Sequence, residues 1–524
     1  MKIDHTTLKQ NNISPLTTAR QIDLCSRRER EVSFTNAGVA GAAILRALEV
    51  SPAWGAVATD IASMTGPRTA IDFIERGPNM GMETGRQQGS STLNHAFIGF
   101  YGAGAGLLLS GALNKAYNVK ANKVFASTNV LNEFKRVFDD TKDADKTFKQ
   151  ILGSIETITT DGSKKKLSDF DGLVEKVFKA YQNAGTDKKA VKEAKQLARY
   201  FILKATGSES NYKLAEKSKL SLDTFIDSLF SITDTLKSPE VKKDSAKFFK
   251  SLKNFGLERS ALGLGIASAI GLGMQPLNTY ITKRKTGSDG FAGVGGRKKD
   301  RSDGFKMLKT GISAAGLVGV IASIGGGLKN LPTTLQFKGM TPTIEQFKLI
   351  YGLTIVSRFM SARDKDELRE AVVRDTIGFL SWLVLGNFVT KGVIHAKDKS
   401  LIKESWNGKS FFKSTIMTRD EVLHKALSKI PGVETVKDGK AVPFKELLKE
   451  LKRLAPASKE VKQLKLLNIA QLAGYAYSCI VLGVALPKLN IYMTRKSEEK
   501  RQAKLAEQGN YTGLPSPHIS DIIK

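Results

Sequence analysis

Apolar runs that carry few charges alternate along this chain with stretches in which Lys, Asp or Glu recurs every third or fourth residue. A helix needs roughly 20 mainly apolar residues to cross a bilayer. Five runs reach that length, at 95–114, 260–281, 308–329, 376–396 and 466–488. Three shorter apolar pieces have the length of interfacial, tilted or re-entrant segments, at 36–50, 51–65 and 347–360. The pattern predicts an all-α, polytopic membrane helix bundle.

Small residues are frequent inside these runs, as in the Gly102-x-x-x-Gly106 motif and the stretch 311–327. In a helix that faces water, Gly costs about 1 kcal/mol relative to Ala. In lipid, small residues let helices approach closely and are enriched at helix contacts. The composition therefore favours membrane helices over the alternative, in which the runs are core helices of a large soluble protein.

Two of the runs are followed by nearly the same motif, "PLNTYITKRK" from Pro276 and "PKLNIYMTRK" from Pro487. The order of apolar and charged segments before each motif is also similar, and Ile98-Gly99-Phe100 matches Ile377-Gly378-Phe379. We therefore expect two related repeats, each with a helix that ends at its proline. Tyrosines suit the headgroup level and basic residues bind lipid phosphate. The predicted lipid-interface anchors are Tyr280, Lys283, Arg284, Lys285, Tyr492, Arg495 and Lys496.

The predicted organisation has two membrane units, each interrupted by a charged insert. Their apolar faces recur at helical spacing, and Asp187 and the Thr418/Glu421 capping box mark helix starts, so we expect both inserts to be helical throughout. The segments are a basic N-terminal segment (1–35), the first membrane unit (36–114), its insert (115–257) and closing helix (258–282), a basic flexible linker (283–307), the second membrane unit (308–396), a smaller insert (397–464), its closing helix (465–490) and a basic tail (491–524).

The net charge of +30 makes a bilayer with anionic headgroups the expected partner. Basic residues are spread over many helices without interleaved aromatic residues, which argues against nucleic acid. Short basic loops stay in the cytoplasm, and 283–301 has seven basic and two acidic residues. This places the linker and both termini in the cytoplasm. Four crossings per repeat satisfy that placement with both inserts outside, whereas three crossings per repeat give inverted halves.

The sequence has no catalytic motif that withstands inspection. "GFAGVGGRKK" lacks the Lys and the hydroxyl residue of a phosphate-binding loop, and Glu421-x-x-His424 lacks the second copy that a di-iron bundle needs. Two cysteines and five histidines form no metal cluster. We expect no enzyme, no cofactor and no metal. Polar residues in or beside apolar runs are costly in lipid and are often functional, and the candidates are Asp60, Asn387, Arg46, Asp375 and His95.

The sequence-based hypothesis is a non-catalytic membrane scaffold whose inserts, 115–257 and 397–464, bind protein partners. A permease or channel with duplicated halves is the first alternative, because duplicated halves are common in transporters. A soluble or peripheral basic helical protein that binds anionic membranes or nucleic acid is the second. The permease alternative rests also on the polar groups within the apolar runs.

Overall fold

The structure is a computed structural model that describes residues 38–49, 52–159, 162–214, 219–294, 297–325, 327–381, 386–406, 408 and 410–507. The chain is predominantly helical, which confirms the all-α prediction. The predicted N-terminal segment 1–35 and the end of the basic tail lie outside the described residues. The helices are α1 (38–49), α2 (Pro52–Thr59), α3 (Gly66–Arg76), α4 (Pro78–Leu109), α5 (Gly111–Tyr117), α6 (Thr128–Thr141), α7 (Ala144–Ser154), α8 (Leu173–Asn183), α9 (Lys188–Thr206), α10 (Leu222–Leu236), α11 (Pro239–Lys243), α12 (Ser245–Thr286), α13 (Asp303–Ser323), α14 (Leu331–Thr334), α15 (Ile344–Ser361), α16 (Lys365–Leu380), α17 (Gly386–Lys397), α18 (Arg419–Leu427), α19 (Phe444–Leu454), α20 (Lys459–Ser478) and α21 (Leu486–Glu507).

In the part of the chain that the structure describes in full, two π-helical segments interrupt otherwise continuous helices. The first, π1, covers Asp60–Thr65 and joins α2 to α3. The second, π2, covers Cys479–Ala485 and joins α20 to α21. Single-turn π segments inside α-helices are rare and occur frequently at functional sites. The first half of the bundle consists of α1–α4 and α12, and the second half consists of α13, α15–α17, α20 and α21.

Three helices of the described residues are long and apolar enough to cross a membrane: α12, α13 and the continuous helix Lys459–Glu507. The pair α4 and α5, bent by 54°, gives a fourth if it counts as one span. These helices contain four of the five predicted runs. The fifth run, 376–396, is divided between α16 and α17, and its residues 382–385 lie outside the described part. The predicted four-plus-four topology is therefore not shown.

Glycines permit the closest helix contacts in the bundle. A Cβ atom at Gly263 of α12 would lie 2.9 Å from the backbone of Gly102 in α4. In the second half, a Cβ atom at Gly474 of α20 would collide with Thr390 Oγ1 of α17. Close backbone approach of this kind explains why the apolar runs contain so many small residues.

The two prolines do not end their helices, so that prediction is wrong. Helix α12 continues beyond Pro276 to Thr286, and α21 continues beyond Pro487 to Glu507. A helix tolerates an internal proline when the carbonyl groups that it leaves without a donor find other donors. Ser357 Oγ donates to the carbonyl oxygen of Leu272, 2.6 Å away and four residues before Pro276.

The first insert folds around one large hydrophobic core formed by α6–α10 and the start of α12. Ser127, Asp143, Asp187 and Ser221 cap its helices. It also has a four-stranded antiparallel sheet in the order β2-β1-β3-β4, so it is not helical throughout. These strands have two or three residues each, too few for a period-2 pattern to emerge in the sequence: β1 (Glu156–Ile158), β2 (Lys164–Lys166), β3 (Tyr212–Lys213) and β4 (Lys219–Leu220).

The second insert has its own core, which α1 completes with Val39 and Ala42. The predicted capping box of Thr418 and Glu421 is present at the start of α18. Two short hairpins complete this insert: β5 (Ile402–Lys403) with β6 (Thr415–Ile416), and β7 (Val436–Lys437) with β8 (Lys440–Ala441). The two inserts contact each other, since Arg199 of the first lies 2.7 Å from Asp420 of the second.

Candidate polar pathway between the two bundle halves

The bundle exposes large apolar side chains and buries a polar cluster beside small hydrophobic clusters of its own, unlike the first insert. Large apolar side chains project outward from its helices, among them Leu108 and Ile74, each 78% exposed. In 111–243, by contrast, no described large apolar side chain is exposed. The interior between the bundle halves holds buried Arg, Asp, Glu, Gln and Thr side chains.

Two buried ion pairs connect the halves reciprocally. Arg76, the last residue of α3, donates to Glu370 of α16 over 2.9 and 2.5 Å. Arg363, just after α15, donates to Glu83 of α4 over 2.5 and 3.3 Å. Arg76 and Arg363 are 287 positions apart in the sequence, and so are Glu83 and Glu370. Each half thus supplies one arginine and one glutamate to these two ion pairs.

A threonine of each exit motif joins the corresponding glutamate. Thr494 donates its hydroxyl to Glu370, and Thr282 forms a hydrogen bond with Glu83. Threonine and glutamate belong to the same half in both cases. The burial of the motifs also agrees, because Asn278, Asn490 and both threonines are buried, whereas Tyr280 and Tyr492 are 58% and 60% exposed.

Beyond the glutamates, Arg358 of α15 occupies the centre of the bundle. Its Nη1 atom donates to Asp375 over 2.8 Å and its Nη2 atom to Gln88 over 3.3 Å. Gln88 and Asp375 again differ by 287 positions. Arg374 donates to the same Asp375 over 3.0 Å, and Asp60 of π1 accepts a 2.5 Å hydrogen bond from Thr92. This centre is polar and almost completely inaccessible to solvent.

His95 lies further along α4, where the polar interior meets an open cavity. Its ring lies 5.3 Å from the ring of Tyr351, and its Nε2 atom has no hydrogen-bond partner among the described residues. The cavity has a volume of about 110 Å³, and Trp54, Phe100 and Met340 contribute to its lining. Glu83, Gln88, Thr92 and His95 follow one another at intervals of three to five residues, so they line one face of α4.

Phe291 of the linker packs against the opposite end of this polar interior, whereas Lys283–Ser288 are exposed, and the flexibility of the linker stays a prediction. Phe291 is 3% exposed and lies 5.7 Å from the guanidinium carbons of both Arg76 and Arg363. Beneath it is a cavity of about 20 Å³, enough for one water molecule, which Gln275 also lines. Arg297 fixes the linker through ion pairs with Asp364, Asp366 and Glu498.

A third cavity, about 380 Å³, lies where α1 meets the two inserts. Arg46 donates twice to Asp420 over 2.6 Å, and Arg199 donates to the same carboxylate. Burial raises the pKa of Asp420, but the hydrogen bonds and charge of Arg46, with the charge of Arg199, outweigh it and hold the pKa below its ordinary value. Burial also lowers the pKa of His424 to about 4. This cluster connects α1 to both inserts.

Of the five predicted polar candidates, three lie in the bundle interior. Asp60, His95 and Asp375 are buried there, whereas Asn387 is exposed on α17 and does not line the interior. Arg46 bonds to Asp420 of the second insert, because α1 packs on that insert rather than beside Asp60. The predicted anchor residues are all exposed: Tyr280, Lys283, Arg284, Lys285, Tyr492, Arg495 and Lys496.

The sequence-based prediction missed the residues of the reciprocal ion pairs. Arg76–Glu83 and Arg363–Glu370 share a spacing of seven residues, but so do Arg68–Glu75 and Arg453–Glu460, so this spacing alone does not single out the ion pairs. The offset of 287 positions between Arg76 and Arg363 differs by eight from the offset between Ile98 and Ile377, which is 279. Comparison of the chain with models of known families, with curated proteins and with solved structures found no match.

Proposed function

We propose that this chain is a membrane permease for small polar solutes, built from two related halves. The observation that supports it best is the pair of reciprocal buried ion pairs, Arg76–Glu370 and Arg363–Glu83. Buried charges are expensive in a bundle with an apolar exterior and usually line a pathway or pair with one another. A duplicated transporter has its solute site between its halves, where this bundle has its polar interior.

In this proposal the two ion pairs form the gate on the side of the linker. Both pairs cross between the halves, so both must break when the halves separate there. The cavity at His95 is the opening on the opposite side, and solute passes between the two along Gln88 and Arg358. Alternating access of this type requires separation at one end while the other end closes.

The proposed location follows from the exposed surface. The apolar exterior of the bundle lies in the bilayer, and the basic residues after each exit tyrosine bind anionic headgroups on the cytoplasmic side. In this proposal Tyr280 and Tyr492 lie at the same headgroup depth, and the matching burial of their motifs supports it. Detergent, but not alkaline carbonate or salt, should therefore extract the protein from membranes.

A scaffold remains the second candidate function, and one observation favours it. The two inserts join into one unit through Arg199, Asp420 and Glu421, which accepts a hydrogen bond from the backbone of Glu209. A unit of this size exceeds what a permease needs to cross a bilayer and offers a surface for protein partners. A scaffold does not require the two gate ion pairs to open.

The gate is testable by thiol accessibility without knowledge of the solute. The chain without Cys25 and Cys479 receives a single cysteine by Gln275→Cys, at a buried position beneath Phe291. A membrane-impermeant thiol reagent should modify it slowly in reconstituted vesicles. Arg76→Gln with Glu370→Gln removes both partners of one pair and should accelerate modification at least tenfold, because the neutral amides no longer hold the halves together.

Arg453→Gln is the matched control, because the ion pair between Arg453 and Glu450 is exposed on α19, far from the gate in sequence. It should leave the rate of modification unchanged. Equal rates in the gate and control variants would contradict the gate. Release of the protein by alkaline carbonate would contradict membrane embedding itself.

A further inference from the structure

The open cavity at His95 lies between the two bundle halves. Trp54 of α2 lines it from the first half, together with His95 and Phe100 of α4. Met340, in the segment that leads into α15, lines it from the second half. A Cβ atom at Gly99 of α4 would lie 1.8 Å from the carbonyl oxygen of Met340. Only a residue without a side chain allows this contact, which fixes the second wall of the cavity against α4.

The mouth of the cavity opens on the apolar surface of the bundle. Trp54, Phe100 and Met340 are 52%, 52% and 50% exposed. In the proposed placement of the bundle this surface faces lipid, so a ligand reaches the cavity from the bilayer. The described lining contains no Asp, Glu, Lys or Arg. A charged ligand would lose its hydration there without gaining a counter-ion, so the cavity suits an uncharged molecule.

His95 is the group in the cavity wall that lacks a hydrogen-bond partner. It is 2% exposed, and its Nε2 atom has no partner among the described residues. The rings of Tyr351 and Phe347, with centroids 5.3 and 6.0 Å away, hold the imidazole in place. A buried polar atom of this kind is normally satisfied by protein, water or ligand. A hydroxyl group matches either tautomer of the imidazole, because it both donates and accepts a hydrogen bond.

The volume and walls of the cavity define the rest of the ligand. An apolar protein cavity of about 150 Å³ holds one benzene molecule. The cavity at His95 has a volume of about 110 Å³ and is open on one side, so a single six-membered ring fits with its outer edge in the mouth. The rings of Trp54 and Phe100 suit such a ligand, because aromatic pairs gain more than their buried area provides.

We propose that the cavity at His95 binds an uncharged, membrane-soluble molecule of the phenol class, with one six-membered ring and a hydroxyl group. The hydroxyl group bonds to His95, and the ring lies among Trp54, Phe100 and Met340. The inference rests on the proposed permease function, which places the bundle in the bilayer, and deepens it by naming a solute class. A ligand that contacts both halves loses part of its site when the halves separate at this end, as release requires.

Fluorescence quenching of Trp54 tests the site without any assumption about transport. The full-length chain with Trp382→Phe and Trp406→Phe keeps Trp54 as its single tryptophan. In phosphatidylcholine vesicles at neutral pH it is titrated with 4-bromophenol and, separately, with 4-bromotoluene, in which a methyl group replaces the hydroxyl group. Bromine quenches tryptophan fluorescence on contact. At equal mole fraction in the bilayer, 4-bromophenol should quench in a saturable manner and bind about tenfold more tightly, because only it forms the hydrogen bond to His95.

Substitutions in the single-tryptophan chain separate the hydrogen bond from the packing of the ring. His95→Phe removes both ring nitrogens and should abolish the preference for 4-bromophenol, whereas His95→Gln keeps a hydrogen-bonding group and should retain it. Ala96→Leu fills the cavity and should abolish saturable quenching by both compounds. Ala103→Leu is the matched control, because Ala103 is also half-buried on α4 but does not line the cavity. It should leave the quenching unchanged.

The outcomes separate the site from the permease function. Equal affinity for the two compounds would mean that the cavity holds only apolar molecules such as lipid chains, and it would overturn the hydroxyl ligand. Quenching that does not saturate, or that stays saturable in Ala96→Leu, refutes the site itself. Absence of binding, together with accelerated thiol modification in the Arg76/Glu370 variant, refutes the site and leaves the permease supported. Saturable binding without that acceleration supports the site and refutes the gate.

Discussion

Glu83→Gln and Glu370→Gln should both destabilise the bundle strongly, because each leaves a buried guanidinium group without its full counter-charge. The side chains of Arg363 and Arg76 are 1% and 6% exposed, so water cannot replace the lost carboxylate. Breaking one partner of a buried pair costs about 3–5 kcal/mol.

The remaining carboxylates make the two costs differ in a defined direction. Arg363 retains Glu367 at 2.8 Å, whereas Arg76 retains only the more distant Asp72 at 3.6 Å. Glu83→Gln should therefore cost about 3 kcal/mol, and Glu370→Gln should lie nearer to about 5 kcal/mol.

Thermal unfolding of the full-length protein in detergent measures both effects. For a domain of 150–250 residues, 1 kcal/mol corresponds to about 2–4 °C in the midpoint. Glu450→Gln removes the carboxylate of an exposed pair on α19 and should not change the midpoint measurably. Midpoints of the Glu83 and Glu370 variants that match the Glu450 variant would refute the reasoning.

Three further outcomes follow from other parts of the molecule. The pKa of His424 is about 4 in the folded state against an ordinary 6.5, so the unfolded state binds more protons between these two pH values. The free energy of unfolding of the inserts should therefore fall by up to about 3 kcal/mol as the pH drops from 6.5 to 4. Hydrogen exchange measures this free energy, and His424→Gln should remove its dependence on pH. Gly483→Ala should cost about 1–3 kcal/mol in thermal unfolding, because its methyl group would lie 2.5 Å from the carbonyl oxygen of Ser63, whereas Gly273→Ala, with open space, should be neutral or stabilising. Asp60→Leu should unfold close to the wild-type midpoint, because Asp60 forms no ion pair with a described residue, and a loss as large as that of Glu83→Gln would contradict this account.

The sequence was informative where a local pattern has a local cause. Helical periodicity predicted the insert helices, and the capping residues Asp187 and Thr418 are where the structure has them. The two exit motifs predicted exposed tyrosines, and Tyr280 and Tyr492 are both exposed. Each of these features depends on neighbours within a few positions of the chain.

Features that depend on distant neighbours were inaccessible to sequence reasoning. Arg46 follows the apolar part of α1, yet its partner Asp420 is 374 positions away. The linker composition of glycine and lysine suggested mobility, but Phe291 is buried between two arginines that the chain supplies from separate halves. Short strands such as β3 exist only because other strands pair with them.

Pro276 and Pro487 bear on the proposed separation of the two bundle halves. A proline leaves without its donor the carbonyl group four residues before it in an α-helix, Leu272 before Pro276, or five residues before it in a π-helix, Leu482 of π2 before Pro487. Each carbonyl oxygen accepts a side-chain hydrogen bond from the other half, from Ser357 in the first case and Arg68 in the second. The two halves are therefore held together partly by backbone groups that proline makes available. Such contacts are single hydrogen bonds, worth about 0.5–1.5 kcal/mol or somewhat more when charged. They break at far lower cost than the buried ion pairs, so the gate at the linker, rather than these contacts, should set the barrier to opening.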